Sequence, residues 1–141
     1  MNYLACYKGP AEGLFNIAFH KVVCWWTKSK YSHCEIVYKG EAYSSSSRDG
    51  GVRKKLIDFN SGKWDLYPIE NLDGEFLIKF YEETDKCGYD YLGLFKFVLP
   101  FIKSSENRWF CSEWCAFVLK YEQPEKYHIQ SLVDRIKNAN A

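Results

Sequence analysis

Three short runs with strand-forming character follow one another in the first half of the chain, and tight turns separate them. The runs span residues 33–38, 42–47 and 51–57. Residues 39–40, Lys-Gly, fit a two-residue hairpin turn, and residues 49–51, Asp-Gly-Gly, fit a second turn. Strands joined by such short turns must run antiparallel, because a parallel pair needs a long crossover. The chain is therefore predicted to build an antiparallel sheet.

Further elements surround these runs and become helical towards the end of the chain. Residues 2–7 and 64–69 are candidate strands, and residues 14–26 have helical spacing. Four later segments have helical character: a helix capped by Asp73, an apolar helix over 90–102, a helix over 111–121, and a final helix indicated by a capping box of Ser131 with Asp134. Because the strands cluster first and the helices later, the sequence predicts an α+β fold with an antiparallel sheet packed against helices.

Length and charge limit the classes of protein that the chain can represent. Its 141 residues predict a single domain over 1–141, and 47% hydrophobic residues are enough for a core. The net charge of +1 gives no reason to expect a nucleic-acid partner. The densest basic run, residues 53–55, is interpreted as a solvated strand edge.

Cysteine usage favours a reducing compartment. The chain has six cysteines, none in a CxxC pair, and shows neither a secretory signal nor an apolar stretch long enough to span a bilayer. A cytoplasmic protein with six free thiols and no integral membrane segment is therefore expected. Cys111, Cys115 and His33 provide three potential metal ligands, but no fourth is indicated, so no metal or cofactor is predicted.

Cys111 is the candidate nucleophile because it opens the predicted helix 111–121. A helix N-terminus and a nearby imidazolium both stabilise a thiolate. The alternative is plain burial, since Cys111, Trp114, Cys115, Val118 and Leu119 follow the spacing of a buried helical stripe. Within that stripe, Cys115 is the better candidate for a core residue.

His33 is the candidate base because it lies on a strand face with unusual polarity. Side chains alternate along a strand, so His33 and Glu35 share one face while Cys34 and Ile36 share the other. A polar face on a central strand indicates a cleft, although an ordinary solvent-facing surface fits the pattern equally well. The two other histidines, His20 and His128, are interpreted as packing or surface residues.

The hairpin turn at residues 39–40 also fixes a register. Counting back from a two-residue loop places Glu35 opposite Ser44 and His33 opposite Ser46. The face that carries the imidazole is thus predicted to carry a carboxylate and two hydroxyls.

The order of these pieces resembles the permuted branch of the NlpC/P60 papain-like superfamily, which includes the YiiX/YaeF-like and lecithin:retinol-acyltransferase-like proteins. In that branch the histidine strand precedes the cysteine helix. The matching segments are Ser32-His33-Cys34-Glu35-Ile36-Val37, Tyr89-Asp90-Tyr91-Leu92-Gly93-Leu94 and Phe110-Cys111-Ser112-Glu113. The resemblance covers about residues 30 to 120, and residues 46–53 also look like small phage-encoded members that would act in a host cell.

The resemblance implies a circularly permuted papain-like fold with Cys111 as nucleophile and His33 as general base. A third polar group usually orients the imidazole from the following strand, where this chain holds only serines at residues 44–46. Glu35 is the preferred candidate for that role, and the serine strand is the alternative.

The expected function is hydrolysis of an amide or ester bond through an acyl-enzyme. Peptides, isopeptides and lipid esters are the substrate classes that relatives use. The alternatives are an acyltransferase with the same site, which requires an apolar patch such as residues 25–26 or 91–102, and an inactive binding or inhibitory protein on the same scaffold.

Overall fold

The computed structural model describes residues 1–9, 13–85, 87–89 and 108–141. This described part contains seven strands: β1 Asn2–Tyr7, β2 His33–Tyr38, β3 Glu41–Ser46, β4 Gly51–Lys55, β5 Trp64–Ile69, β6 Gly88–Tyr89 and β7 Arg108–Trp109. It also contains four α-helices: α1 Leu14–Thr27, α2 Gly74–Thr84, α3 Cys111–Val118 and α4 Ile129–Ala139. The helix predicted over residues 90–102 lies outside the described residues.

The described strands form one sheet in the order β5-β1-β2-β3-β4-β6-β7. All neighbours are antiparallel except β6 and β7, which pair in parallel. The expected α+β class with an antiparallel sheet is therefore confirmed, with one parallel pair at the edge. Strand β2 lies between β1 and β3, and Cys34, Glu35 and Ile36 have no exposed surface. A polar side chain on this strand must therefore find its partners inside the protein.

The first hairpin forms as the sequence predicts. Tyr38 pairs with Glu41, and the two turn residues, Lys39 and Gly40, both have positive φ angles of 49° and 82°. Two-residue hairpin turns favour positive φ at both central residues, because the twist of such a turn matches the twist of the two strands that it joins.

The register prediction was only partly right. Among the described residues, the β2–β3 ladder ends at the pair of Ile36 and Tyr43. The expected pairs of Glu35 with Ser44 and of His33 with Ser46 therefore lie beyond the end of the ladder. Where the ladder ends, the Ser44 hydroxyl donates a hydrogen bond of 2.6 Å to the Cys34 carbonyl.

Three helix predictions can be compared with the structure. The Asp73 cap is confirmed, since its carboxylate accepts a hydrogen bond of 3.0 Å from the Phe76 amide. The predicted helix 111–121 ends earlier, at Val118, and Lys120 turns into the left-handed region with φ 58°. The predicted start of the last helix was wrong.

The last helix begins at Ile129, and His128 is its N-cap. The His128 side chain accepts from the Ser131 amide while the Ser131 hydroxyl accepts from the His128 amide. This is the reciprocal arrangement of a capping box, with Ser131 as its third helical residue and with histidine in place of the usual serine or threonine.

Helix α3 is deeply buried and packs against β2. Phe110, Cys111, Trp114 and Cys115 have no exposed surface. The Trp114 indole N–H donates a hydrogen bond of 3.0 Å to the Thr84 hydroxyl of α2. Because tryptophan can be buried cheaply only when its N–H is bonded, this contact stabilises the position of α3.

One contact fixes α3 against the sheet. The sulfur of Cys115 lies 3.8 Å from the sulfur of Cys34 on β2. The helix therefore packs on the Cys34 face of the strand, and its first residue lies near the beginning of β2. Among the described residues, no helix has the length and hydropathy that crossing a bilayer requires.

Candidate active site

Cys111 occupies the first position of α3. Phe110 is the N-cap with extended backbone angles, and the first bond of the helix runs from the Trp114 amide to the Phe110 carbonyl at 3.0 Å. The backbone N–H groups of residues 111–113 therefore have no partner within the helix. Such groups create a positive potential that favours a thiolate or an oxyanion.

His33 is the first residue of β2 and forms a hydrogen bond with the Cys111 thiol. Its Nε2 atom lies 2.7 Å from Oε1 of Glu35. Since an imidazole has two nitrogens and Nε2 is bound to Glu35, Nδ1 is the nitrogen left to form the hydrogen bond with the thiol. The three residues selected from the sequence, Cys111, His33 and Glu35, therefore lie in one contiguous chain of contacts.

Glu35 is fully buried and holds a second partner besides the imidazole. Both terminal nitrogens of Arg53 donate to its carboxylate: Nη1 lies 2.6 Å from Oε2, and Nη2 binds Oε1. This two-pronged pairing satisfies both carboxylate oxygens and fixes their orientation. A buried carboxylate without such partners would be strongly destabilising.

The network continues from Arg53 to the surface. Its Nε donates to Oδ2 of Asp49 at 2.7 Å, and Lys55 Nζ lies 2.8 Å from the same oxygen. Partial burial raises the pKa of the Asp49 carboxyl, but the bonds with Lys55 and Arg53 outweigh burial and lower the pKa to about 2, so Asp49 stays ionised and its charge is compensated. Glu35 is consequently anchored through Arg53 to the turn between β3 and β4.

Arg53 was missed by the sequence analysis, and the interpretation of residues 53–55 as a solvated strand edge is wrong at this position. Its side chain is only 14% exposed, and β4 is flanked by both β3 and β6. Arg53 pairs with Ser44 across the β3–β4 ladder. Its guanidinium extends past β3 to Glu35 on β2. Counting the register back from the second turn was the signal that could have found it.

The environment of Cys111 makes its thiol acidic. Burial by itself raises the pKa of Cys111, but hydrogen bonds with Cys34 and His33 and the charge of the imidazolium outweigh burial and lower it to about 5. A thiol with such a pKa is largely thiolate at neutral pH.

The environment of His33 changes its proton affinity in the opposite direction. Burial lowers the pKa of His33, but the charge of Glu35 and hydrogen bonds with Cys111 and Glu35 outweigh it and raise the pKa to about 9. Burial likewise raises the pKa of Glu35, and its bonds with Arg53 and His33 reverse this and lower it. These opposite shifts favour a thiolate–imidazolium pair beside a carboxylate at neutral pH.

Other thiols of the core behave differently. Burial raises the pKa of Cys6, Cys24, Cys34 and Cys115. All six cysteines are free thiols, as the sequence predicts. Cys111 therefore differs from its buried neighbours through its partners.

A pocket of about 90 Å³ adjoins the site and reaches His33 and Glu35. Cys111 has no exposed surface and is not among the described residues that line the pocket. A substrate carbonyl reaches the thiol only if side chains at this end of the pocket move. His20, interpreted from sequence as a packing or surface residue, also lines the pocket, and its Nδ1 lies 2.5 Å from the Ser32 hydroxyl.

The serines that were the alternative third group do not bind the imidazole. Ser44 donates to the Cys34 carbonyl, and Ser45 donates to the Trp109 carbonyl at 2.6 Å. Ser46 lines the pocket. Within the described ranges, no cluster of three or more His, Cys, Asp or Glu side chains is arranged to hold a metal ion.

No family model matches the chain, and no curated protein is significantly similar to it.

Proposed function

We propose that this protein is a cysteine hydrolase that cleaves an amide or ester bond. The observation that carries the proposal is the contact chain Cys111–His33–Glu35, in which a low-pKa thiol bonds an imidazole that a buried carboxylate holds. A nucleophile, a base and a group that orients the base are the three parts that acyl transfer requires. The histidine strand that precedes the cysteine helix supports a permuted papain-like arrangement.

The reaction follows from the charges at the site. The Cys111 thiolate attacks the carbonyl carbon, a C–S bond forms, and the carbonyl oxygen becomes an oxyanion near the first backbone amides of α3. His33 donates its proton to the leaving amine or alcohol as the C–N or C–O bond breaks. Neutral His33 then removes a proton from water, which attacks the thioester and releases the acid and the thiol.

Glu35 acts on the imidazole and not on the substrate. Its bond to Nε2 fixes the ring so that Nδ1 faces the sulfur, and its charge favours the protonated ring. Arg53 keeps the carboxylate ionised and oriented. Peptides, isopeptides and lipid esters are the substrate classes that this chemistry serves.

The proposal is tested by trapping the acyl-enzyme. A p-nitrophenyl ester should release a burst of one nitrophenolate per chain, and mass spectrometry of the quenched protein should find the acyl group on Cys111. Cys115→Ala is the matched control and should give the same burst. Acylation at several cysteines with equal rates would refute the assignment and favour a non-catalytic binding protein.

A second candidate function, acyl transfer to an acceptor other than water, is favoured by the outer face of α1. Leu14 is 89% exposed and Trp25 is 75% exposed. Helix α1 carries no acidic residue and is followed by Lys28. Exposed apolar residues with neighbouring cations suit a lipid surface. Partitioning of the acyl group to an added amine in competition with water measures the two activities directly.

A further inference from the structure

The pocket beside His33 is lined mainly by basic and aromatic side chains. Its described basic members are His20, His33, Arg48, Arg53 and Lys55. Among the described residues that line it, Glu35 is the single acidic one, and its two oxygens are already bound by Arg53 and His33. Glu35 is therefore not available to a cation entering the pocket.

Most of the positive charges in this pocket are compensated within the protein. Arg53 is paired with Glu35 and Asp49, and Lys55 is paired with Asp49. Arg48 differs from both, because it has no acidic partner or hydrogen bond among the described residues. With the His33 imidazolium matched by the Cys111 thiolate, Arg48 leaves the pocket with one uncompensated positive charge.

Another part of the lining is aromatic. Tyr7 and Trp64 meet edge to face with their ring centroids 5.0 Å apart, and Phe19 extends from α1. Trp64 is also in edge contact with the His33 ring, at 6.4 Å between centroids. A ligand with an apolar group beside an anionic group would contact both parts of the lining.

We propose that Arg48 binds a carboxylate or phosphate group of the substrate, so that the acyl compound processed at Cys111 carries an anionic group beside an apolar one. This inference rests on the proposed function for its link to catalysis, while the binding site itself does not require turnover. The guanidinium fork matches the two oxygens of either anion.

The binding experiment uses a pair of ligands that differ in charge. N-acetylphenylalanine and its neutral amide are titrated into the wild-type protein while NMR follows the Trp64 indole N–H. The carboxylate should bind about fivefold more tightly, as expected for a partly exposed ion pair of about 1 kcal/mol. Arg48→Gln should remove this preference, and Arg48→Lys should retain part of it.

The matched control is Arg108→Gln, which makes the same change in net charge at an exposed residue outside the pocket lining. It should keep the preference for the carboxylate. Equal affinities of the two ligands for the wild-type protein, or a preference that survives Arg48→Gln, would overturn the proposal. Loss of the preference in Lys55→Gln alone would overturn the assignment to Arg48.

Two further arms separate the possible outcomes. Phenyl phosphate in the same titration distinguishes a phosphate site from a carboxylate site by its relative affinity. Alkylation of Cys111 by neutral iodoacetamide reports the nucleophile independently of anion binding. A preference for the carboxylate without selective alkylation of Cys111 would support the anion site and contradict the hydrolase function. Selective alkylation of Cys111 without a preference for the carboxylate would support the nucleophile and contradict the anion site.

Discussion

Cys111 and Cys115 lie one turn apart on α3, and both side chains are completely buried. The pKa values of their thiols are nevertheless shifted in opposite directions. The pKa of Cys111 is lowered to about 5, whereas burial raises that of Cys115. Cys115 contacts the Cys34 thiol inside the core. Cys111 contacts a histidine whose positive charge is maintained by a buried carboxylate.

The comparison shows that burial does not decide whether a cysteine is reactive. Removal from water disfavours a thiolate at both positions. The difference arises because the first residue of the helix reaches the beginning of β2, where His33 lies, while the residue one turn on faces the apolar side of the same strand. Partners that compensate the charge convert one buried thiol into a candidate nucleophile.

The largest expected effect concerns the two cysteines themselves. Cys111→Ala should abolish hydrolysis and leave the protein folded, at a cost of no more than about 1–2 kcal/mol of unfolding free energy for the truncated buried thiol. His33 keeps its contact with Glu35 in this variant. The measurement is ester turnover combined with urea denaturation. Activity retained in Cys111→Ala and lost in Cys115→Ala would mean that the wrong cysteine had been selected.

Removing the imidazole should have the next largest effect. In His33→Ala the Cys111 pKa should rise towards the ordinary cysteine value of about 8.5, so that roughly 3% is thiolate at pH 7 and alkylation slows about 30-fold. In the wild type, the rate should rise near pH 5 and the thiolate–imidazolium pair should persist to about pH 9. Identical pH profiles in the two proteins would exclude a functional pair.

The sequence predicted the local part of this site well. Helical and strand periodicity placed Cys111 at a helix start and His33 with Glu35 on one strand face, because these patterns depend on neighbouring residues. The order of strands was not predicted, since β1 inserts between β2 and β5. Arg53 was missed for the same reason: it reaches Glu35 across an intervening strand.

The short strands were also beyond sequence analysis. β6 and β7 have two residues each, too few for an alternating pattern. Gly88 of β6 packs against Gly51, where an added Cβ would lie 2.1 Å from the Cys87 carbonyl oxygen. This close approach, at a φ of 147°, is a property of the assembled sheet that no local pattern reveals.

Glu35→Gln should have a moderate effect both on the His33 pKa and on the free energy of unfolding. It removes the charge that favours imidazolium, so the His33 pKa measured by NMR should fall, whereas Ser46→Ala should leave that pKa unchanged. It also leaves the Arg53 guanidinium buried with only Asp49, which should lower the free energy of unfolding by about 3 kcal/mol at pH 7.

The pH dependence of that loss has a definite sign. Folding lowers the pKa of Glu35 from its ordinary value of 4.5, so its stabilisation is present above pH 4.5 and is lost as the pH falls through the folded value. The difference between the wild type and Glu35→Gln should therefore shrink in acid. An unchanged His33 pKa, together with activity lost in Ser46→Ala, would transfer the orienting role to the serine strand.

Cys115→Ala should give the smallest effect and is the sharpest check on the idea that partners outweigh burial. Its thiol fills core volume beside Cys34, so truncation should cost about 1–2 kcal/mol of unfolding free energy through the cavity it leaves. The alkylation rate and pH profile of Cys111 should be unchanged, because the bonds that lower its pKa come from Cys34 and His33 and not from Cys115. A Cys111 pKa that rises in this variant would show that the packing of Cys115 against Cys34 also sets the acidity of the nucleophile.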